Sequence, residues 1–217
     1  MKVFTYVIQF DGGAAPNYCE PATTLAICKP RIRRSAEVGD AIIAFEGSFL
    51  GPEAHAVRWA GVVTEKLAFS EYWNDRRFAS KKPNICSNPD NIYRPMRDGF
   101  VQVPNNVHGP EEFAKDIGGE FVLVLGTSWR FGAAGPLMPE PFGLRMVGGR
   151  RAHRVHEMAQ AKWMPIERWP EVASGTLERT DERLSNQMAC GRTTAIGVCG
   201  GKRSKRSAAA RLTYLRE

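Results

Sequence analysis

The chain has 217 residues, 43% apolar and 24% charged, with a formal net charge of +7. Those values are normal for a globular protein able to bury a sizeable core, and no stretch approaches the roughly 20 apolar residues of a membrane-spanning helix. The charge is uneven. Residues 1–138 hold 15 Lys+Arg against 15 Asp+Glu, whereas residues 139–217 hold 15 against 8, so the whole excess lies in the last third. A basic region on a neutral body is either a footprint for a polyanion or a solubilising tail.

Residues 3–10 (VFTYVIQF) are β-branched and aromatic and read as a first strand, not a signal peptide, because Tyr, Gln and Asp interrupt the apolar run and no small-residue cleavage site follows. The expected location is the cytoplasm. Residues 11–22 form a Gly/Pro loop, and 23–28 suit a short helical turn that Pro30 ends near Lys29. Residues 41–46 (AIIAFE) and 57–66 (VRWAGVVTEK) read as an antiparallel pair joined by a loop. A helix is predicted over 70–78, with Ser70 as its cap and Trp73 and Phe78 facing inward. Residues 79–98 look irregular, 100–103 form a short strand, Pro110-Glu111-Glu112 starts a short helix, and 120–125 (EFVLVL) is the strongest buried-strand signal. A Pro/Gly-rich stretch from 132 to 143 precedes an amphipathic helix predicted over 151–164. The expected organisation is one domain over 1–165 with a basic, partly mobile extension over 166–217. The order of elements predicts an α+β domain around a small curved β-barrel with flanking short helices.

Within residues 23–40, Lys29, Arg31, Arg33 and Arg34 crowd around the stiff Pro30. This stretch is either a held anion contact or a solvated basic turn. No phosphate-binding glycine loop, dinucleotide fingerprint, nucleophile elbow or HExxH helix occurs, so no cofactor and no metal are expected. The five cysteines, without a secretory signal, suggest thiols in a reducing compartment, and the Cys19/Cys28 and Cys190/Cys199 spacings are too wide for the usual zinc gaps. His153 and His156, three apart on the predicted helix, lack a third ligand. His108 is a loop histidine open to acid–base work or to a structural role. Asp11 and Asn17 flank the first loop, where they can read a base edge or satisfy local backbone. Of Trp59, Tyr72, Trp73, Tyr93, Trp129 and Phe131, most belong to the core and one or two could line a stacking site.

The ordered blocks YVIQFDGGAAPN (6–17), TLAICKPRIRRSAEVGDAIIAF (24–45), WAGVVTEKLAFSEYWNDRRF (59–78), DNIY (90–93) and FVLVLGTSWRFG (121–132) resemble the nucleotide-modification-associated domain 2 family over roughly residues 1–150. That family is described as DNA base hypermodification proteins of phages and bacteria. The run of VGD, strand, loop, WAGVVTEKL and FSEYWND is also similar in layout to PUA-like domains, in which a curved barrel holds an extruded base in an aromatic pocket. The matching polar positions are Asp11, Asn17, Lys29, Arg31, Arg33, Asp75, Asn91 and Tyr93, while GAAPNYCEPATT departs from the family's loop pattern.

The resemblance implies a reader or accessory protein that binds a modified base or nucleotide in DNA. Lys29, Arg31 and Arg33 would hold phosphate, Trp73 or Tyr93 would stack, and Asp11, Asn17 or Asn91 would bond the base edge. One alternative is a hypermodification enzyme, transferase or hydrolase, with Asp11, Asp75 or His108 as acid/base candidates. Another is a partner-binding subunit of a phage or defence system. The expected partner is nucleic acid or a modified nucleotide and no membrane; oligomeric state is left open.

Overall fold

The computed structural model describes residues 1–8, 11–46, 56–131 and 153–157, and the backbone of 178–179. In chain order the elements are β1 (Lys2–Ile8), β2 (Thr23–Leu25), α1 (Pro30–Ser35), β3 (Ala41–Glu46), β4 (Val57–Val62), β5 (Glu65–Ala68) and α2 (Phe69–Asn74). A 3-10 helix (Arg76–Lys81), β6 (Tyr93–Met96), β7 (Gly99–Gln102) and a 3-10 turn (Pro110–Glu112) follow. Then come α3 (Phe113–Ile117), β8 (Phe121–Leu125), β9 (Thr127–Arg130), β10 (His153–Glu157) and β11 (Glu178–Arg179).

The mixed α+β class agrees with the sequence, but the strands among the described residues form three sheets and close no barrel. A six-stranded sheet runs β10-β1-β3-β4-β9-β11, a three-stranded one β2-β8-β5, and β6 pairs with β7. β1 and β3 are parallel, Val3 opposite Ala41 through Ile8 opposite Glu46. Parallel neighbours need a long crossover, and β2 and α1 lie on this one.

β3 is buried at every position, because both faces of the six-stranded sheet carry apolar layers. Phe4, Tyr6, Ile42, Ala44 and Trp59 face one layer with Leu25 and the β8 side chains. Val3, Ala41, Ile43, Phe45, Val57, Ala60 and Trp129 form the other. Alternation of side chains along a strand divides β1 and β3 between them.

The predicted strand 57–66 is two strands of different sheets. Val63 still bonds to the first sheet through Asp40 O at 2.8 Å, and the next N–H, of Thr64, turns to Val124 O at 2.8 Å. Gly61 lets the sheets approach: a Cβ there would lie 2.7 Å from Leu125 Cδ2. The VGD turn is fastened by Asp40, whose carboxylate accepts the Lys2 N–H at 2.7 Å and the Glu37 N–H at 2.9 Å.

Other differences have clear causes. Residues 23–25 are a strand, and Pro30 begins a helix where one was expected to end, since Pro at the first helical position lacks only an N–H with no intrahelical partner. Residues 153–157 form an edge strand antiparallel to β1, where the sequence predicted a helix; its partner supplies the backbone bonds that local periodicity cannot foresee. The expected helix 70–78 is split at Asp75, whose side chain accepts the Arg77 N–H and starts the 3-10 helix. Residues 132–143, the end of the predicted helix beyond 157, and the basic tail lie outside the described residues. β11, in the region read as an extension, pairs with β9. No helix among the described residues is long and apolar enough to cross a membrane.

A second buried polar knot joins the first loop to the core. Thr24 Oγ1 donates to Asp90 Oδ2 at 2.6 Å and Tyr72 OH to Asp90 Oδ1 at 2.7 Å, while Lys81 Nζ donates to Asn17 Oδ1 at 3.0 Å and Asn17 O at 3.2 Å. Burial pushes the Lys81 ammonium down to about 8 and lifts the Asp90 carboxyl.

Gly119 is the tightest joint of the domain, because a Cβ there would overlap the guanidinium of Arg33, which is wholly buried. Gly119→Ala is expected to cost about 1–3 kcal/mol through overpacking, measured as a lower midpoint in urea. An unchanged midpoint would show that Arg33 can move aside.

Candidate functional site

Cys28 lies where the chain leaves β2 and enters α1. Its φ is 58° and that of Lys29 is 42°. Two consecutive non-glycine residues in left-handed backbone cost about 1–3 kcal/mol each and persist only where the surroundings impose them. Pro30 bars Lys29 from the right-handed helical region but by itself favours extended backbone. The turn is held by hydrogen bonding: Asp116 Oδ1 accepts the Cys28 N–H at 2.7 Å, and Cys28 O accepts from Arg33 Nε at 2.8 Å. Both polar groups of this residue are thus fastened from inside the protein.

Arg33 is 0% exposed. Besides Cys28 O, its guanidinium donates to Phe121 O at 2.8 Å and Asp116 O at 2.6 Å. Burial pulls its pKa down to about 10, against the opposing pull of Asp116. Removing a charge that ties three segments would leave buried carbonyls unsatisfied.

So fixed, the Cys28 sulfur stands 3.3 Å from His108 Nε2, and His108 Nδ1 stands 2.5 Å from Asp116 Oδ2. Tyr93 OH donates to the same Asp116 oxygen at 2.8 Å. The ring of His108 is held in turn by its own backbone: its N–H donates to Asn105 Oδ1 at 2.9 Å and its C=O accepts from Gln102 Nε2 at 2.9 Å. Cys28 is 7% exposed, His108 4% and Asp116 0%. Desolvation works against the His108 cation, but hydrogen bonds to Asp116 and Cys28 and their charges outweigh it and push His108 up to about 10. Asp116 is desolvated too, which would raise it, yet the bonds from His108, Tyr93 and the Cys28 N–H hold it below the usual carboxylate range.

Potential ligand atoms of Cys28, His108 and Asp116 lie within 4.8 Å of one another, types that suit zinc. The ring nitrogens nonetheless face opposite ways, Nε2 to the thiol and Nδ1 to the carboxylate, and both carboxylate oxygens are engaged. One ion could not meet all three without dismantling the array, which suits proton relay better than coordination.

A cationic face begins one residue from the thiol. Lys29 is half-buried with Nζ 4.2 Å from the centroid of Tyr6, and Arg31 is exposed. His153, opposite Tyr6 in the sheet, is held below the usual imidazole range by partial burial and then by the charges of Arg31 and Lys29. Beyond Tyr6 lies Tyr18, with Arg130 stacked 4.4 Å from its ring centroid and Asp11 3.4 Å from that guanidinium. The buried Tyr18 hydroxyl has no hydrogen-bond partner among the described residues.

The other sequence candidates have structural places. Arg33 does not belong to the exposed rim. Asn17 is spent on Lys81, on the Cys19 N–H and on Asn88 O; Asn91 donates to Tyr72 O and Phe78 O. Tyr93 is buried edge-on between Phe69 and Phe113, so its ring is not free to stack on a base. Trp73 is half-buried with Lys82 Nζ 4.2 Å over its ring, on a different element from Lys29 and Arg31. Asp75 lies in a surface fork with Arg77, which also grips Glu65. His108 is the acid–base candidate that the fold places against a thiol, 3.3 Å from Cys28 Sγ. Sequence reading missed Cys28 and Asp116: only the left-handed turn and the approach of α3 bring them to His108. The remaining described cysteines, Cys19 and Cys86, place their sulfurs 3.2 Å apart.

The profile of the nucleotide modification associated domain 2 family matches residues 1–183. No curated protein and no solved structure matches the chain.

The three described histidines are expected to separate in an NMR titration of their ring signals. His153 and His156 should titrate below the usual 6.5, whereas His108 should remain protonated until about pH 10. A His108 midpoint near 6.5 would mean that the buried relay is not charged.

Proposed function

We propose, from the premise that this chain belongs to the nucleotide modification associated domain 2 family, that it binds a nucleotide or a modified base in DNA. It would do so through the face formed by Lys29 and Arg31, with buried Tyr6 beneath Lys29. The placement of Lys29 directly after the buried Cys28 and of the exposed Arg31 two residues further on, both charges reaching His153, carries this reading. An exposed Arg matches phosphate in a fork, while Lys acts as a point charge. The polar lining at Asp11, Tyr18 and Arg130 supports a place for the base or sugar, because a buried hydroxyl without a partner calls for a polar atom from elsewhere.

The division of labour differs from the one read in the sequence. Phosphate contact falls to Lys29 and Arg31, and Arg33 holds the scaffold. Of the residues expected to read the base edge, Asp11 stays beside the face, whereas Asn17 and Asn91 serve the core.

Fluorescence anisotropy with a short labelled single strand and with a nucleoside 5′-monophosphate, over 50–200 mM salt, tests this reading. Affinity for the strand should fall steeply with salt. Arg31→Ala should weaken binding for every sequence and flatten the salt slope by about one counterion while leaving the fold stable. Arg33→Ala should instead lower stability by about 3 kcal/mol or more. A salt-independent dissociation constant, or an Arg31→Ala variant that binds like wild type, would overturn it.

A further inference from the structure

We propose that Cys28 is the nucleophile of a covalent group-transfer reaction, with His108 as its acid–base partner and Asp116 as the residue that positions His108. The inference rests on the nucleotide-binding reading for its substrate and goes beyond it in making the protein an enzyme. Nothing in the family description assigns the three residues this role.

The geometry meets the requirements for an activated thiol one by one. Nucleophile and base are in contact, Sγ to Nε2 at 3.3 Å, and the base is oriented by a third group, Nδ1 to Oδ2 at 2.5 Å. The orienting carboxylate is itself fixed by Tyr93 OH and by the Cys28 N–H. The nucleophile sits on a backbone outlier between a strand and a helix, where strain signals functional placement. A buried structural cysteine needs none of these. The preference of His108 for its charged form accords with a thiolate beside it, since an imidazolium lowers a cysteine's pKa.

The charged and titratable groups around the thiol come from several elements: Lys29 and Arg33 at α1, Tyr93 on β6, His108 in the loop before α3, and Lys115 and Asp116 on α3. Of these, Arg33, His108 and Lys115 favour the anion, Asp116 opposes it and holds the imidazolium, and Tyr93 stays neutral because burial and Asp116 raise its pKa.

The chemistry balances without a redox partner. The thiolate attacks an electrophilic carbon of the nucleotide; the S–C bond forms and the bond from that carbon to its leaving group breaks. The leaving group departs with the electron pair and takes the proton from His108 Nε2. Water then attacks the same carbon and gives its proton to Nε2, the S–C bond breaks, and its electron pair returns to sulfur. An acceptor hydroxyl or amine in place of water would make the same reaction a transfer.

The test uses the full chain and iodoacetamide, followed by intact mass and peptide mapping, with Cys28→Ser identifying the site. Cys28 should alkylate at pH 6 at a rate within about threefold of that at pH 8. An ordinary thiol of pKa about 8.5 would speed up roughly 70-fold over that range. His108→Gln should cut the pH 6 rate at least tenfold and restore the steep dependence, and Asp116→Asn should shift the profile upward, which loss of packing alone would not do. If either variant fails to fold, the wild-type profile decides. A profile like that of an ordinary thiol, or no labelling of native protein at either pH, would overturn the proposal. Binding of the labelled strand to Cys28→Ser separates the two readings: retained binding with an ordinary thiol keeps the ligand face and removes the chemistry, whereas an activated thiol without nucleotide binding does the reverse.

Discussion

The organisation of the centre depends on a buried guanidinium held next to a buried carboxylate. Arg33 reaches from α1 to carbonyls at Cys28, Asp116 and Phe121, and Asp116 returns a bond to the Cys28 N–H. The two charges are not a close ion pair, with Nη2 and Oδ1 4.0 Å apart. Their value lies in what each bonds to. A buried cation with carbonyl acceptors and a buried anion with N–H and O–H donors are each satisfied locally, which is the condition under which ionised groups are tolerated inside a protein. The outcome is directional: β2, α1, α3 and β8 have little freedom to shift relative to one another, and the turn at Cys28 is held in a shape it would not adopt alone.

This rigidity explains how a chain without a recognisable catalytic motif can bring a thiol, an imidazole and a carboxylate into contact. The thiol, imidazole and carboxylate come from a strand–helix junction, a loop and a short helix. Preorganised groups need no rearrangement when charge moves. The adjoining face, with Lys29 over Tyr6 and Arg31 outside, adds positive potential at the place where a phosphate-bearing molecule would approach.

Much of the framework was legible in the sequence. The continuous apolar run AIIAF became a fully covered strand and FVLVL one buried from Val122 onward, and the VGD turn did what a small polar turn before a strand does. Failures came where distant partners decide. Residues 153–157 have helical spacing but pair with β1, and the 57–66 run bends from one sheet to another at Val63–Thr64. Likewise, basic residues at alternate positions look equivalent as letters, yet on α1 Arg31 is exposed and Arg33 buried, since one side of a short helix faces β8 and α3. His108 was a candidate by its residue type alone; Cys28 and Asp116 carried no local signature because their meaning lies in a contact spanning 88 residues.

The six-stranded sheet is bordered on both sides by late segments, β10 against β1 and β11 against β9. A fragment ending before residue 153 would keep the triad's residues but bare two rows of backbone donors and acceptors at once. The family match reaches residue 183, just past the second border. These two short ribbons therefore act as selvedges: they cover the outer rows of β1 and β9, and the borders left in their place are only five and two residues long.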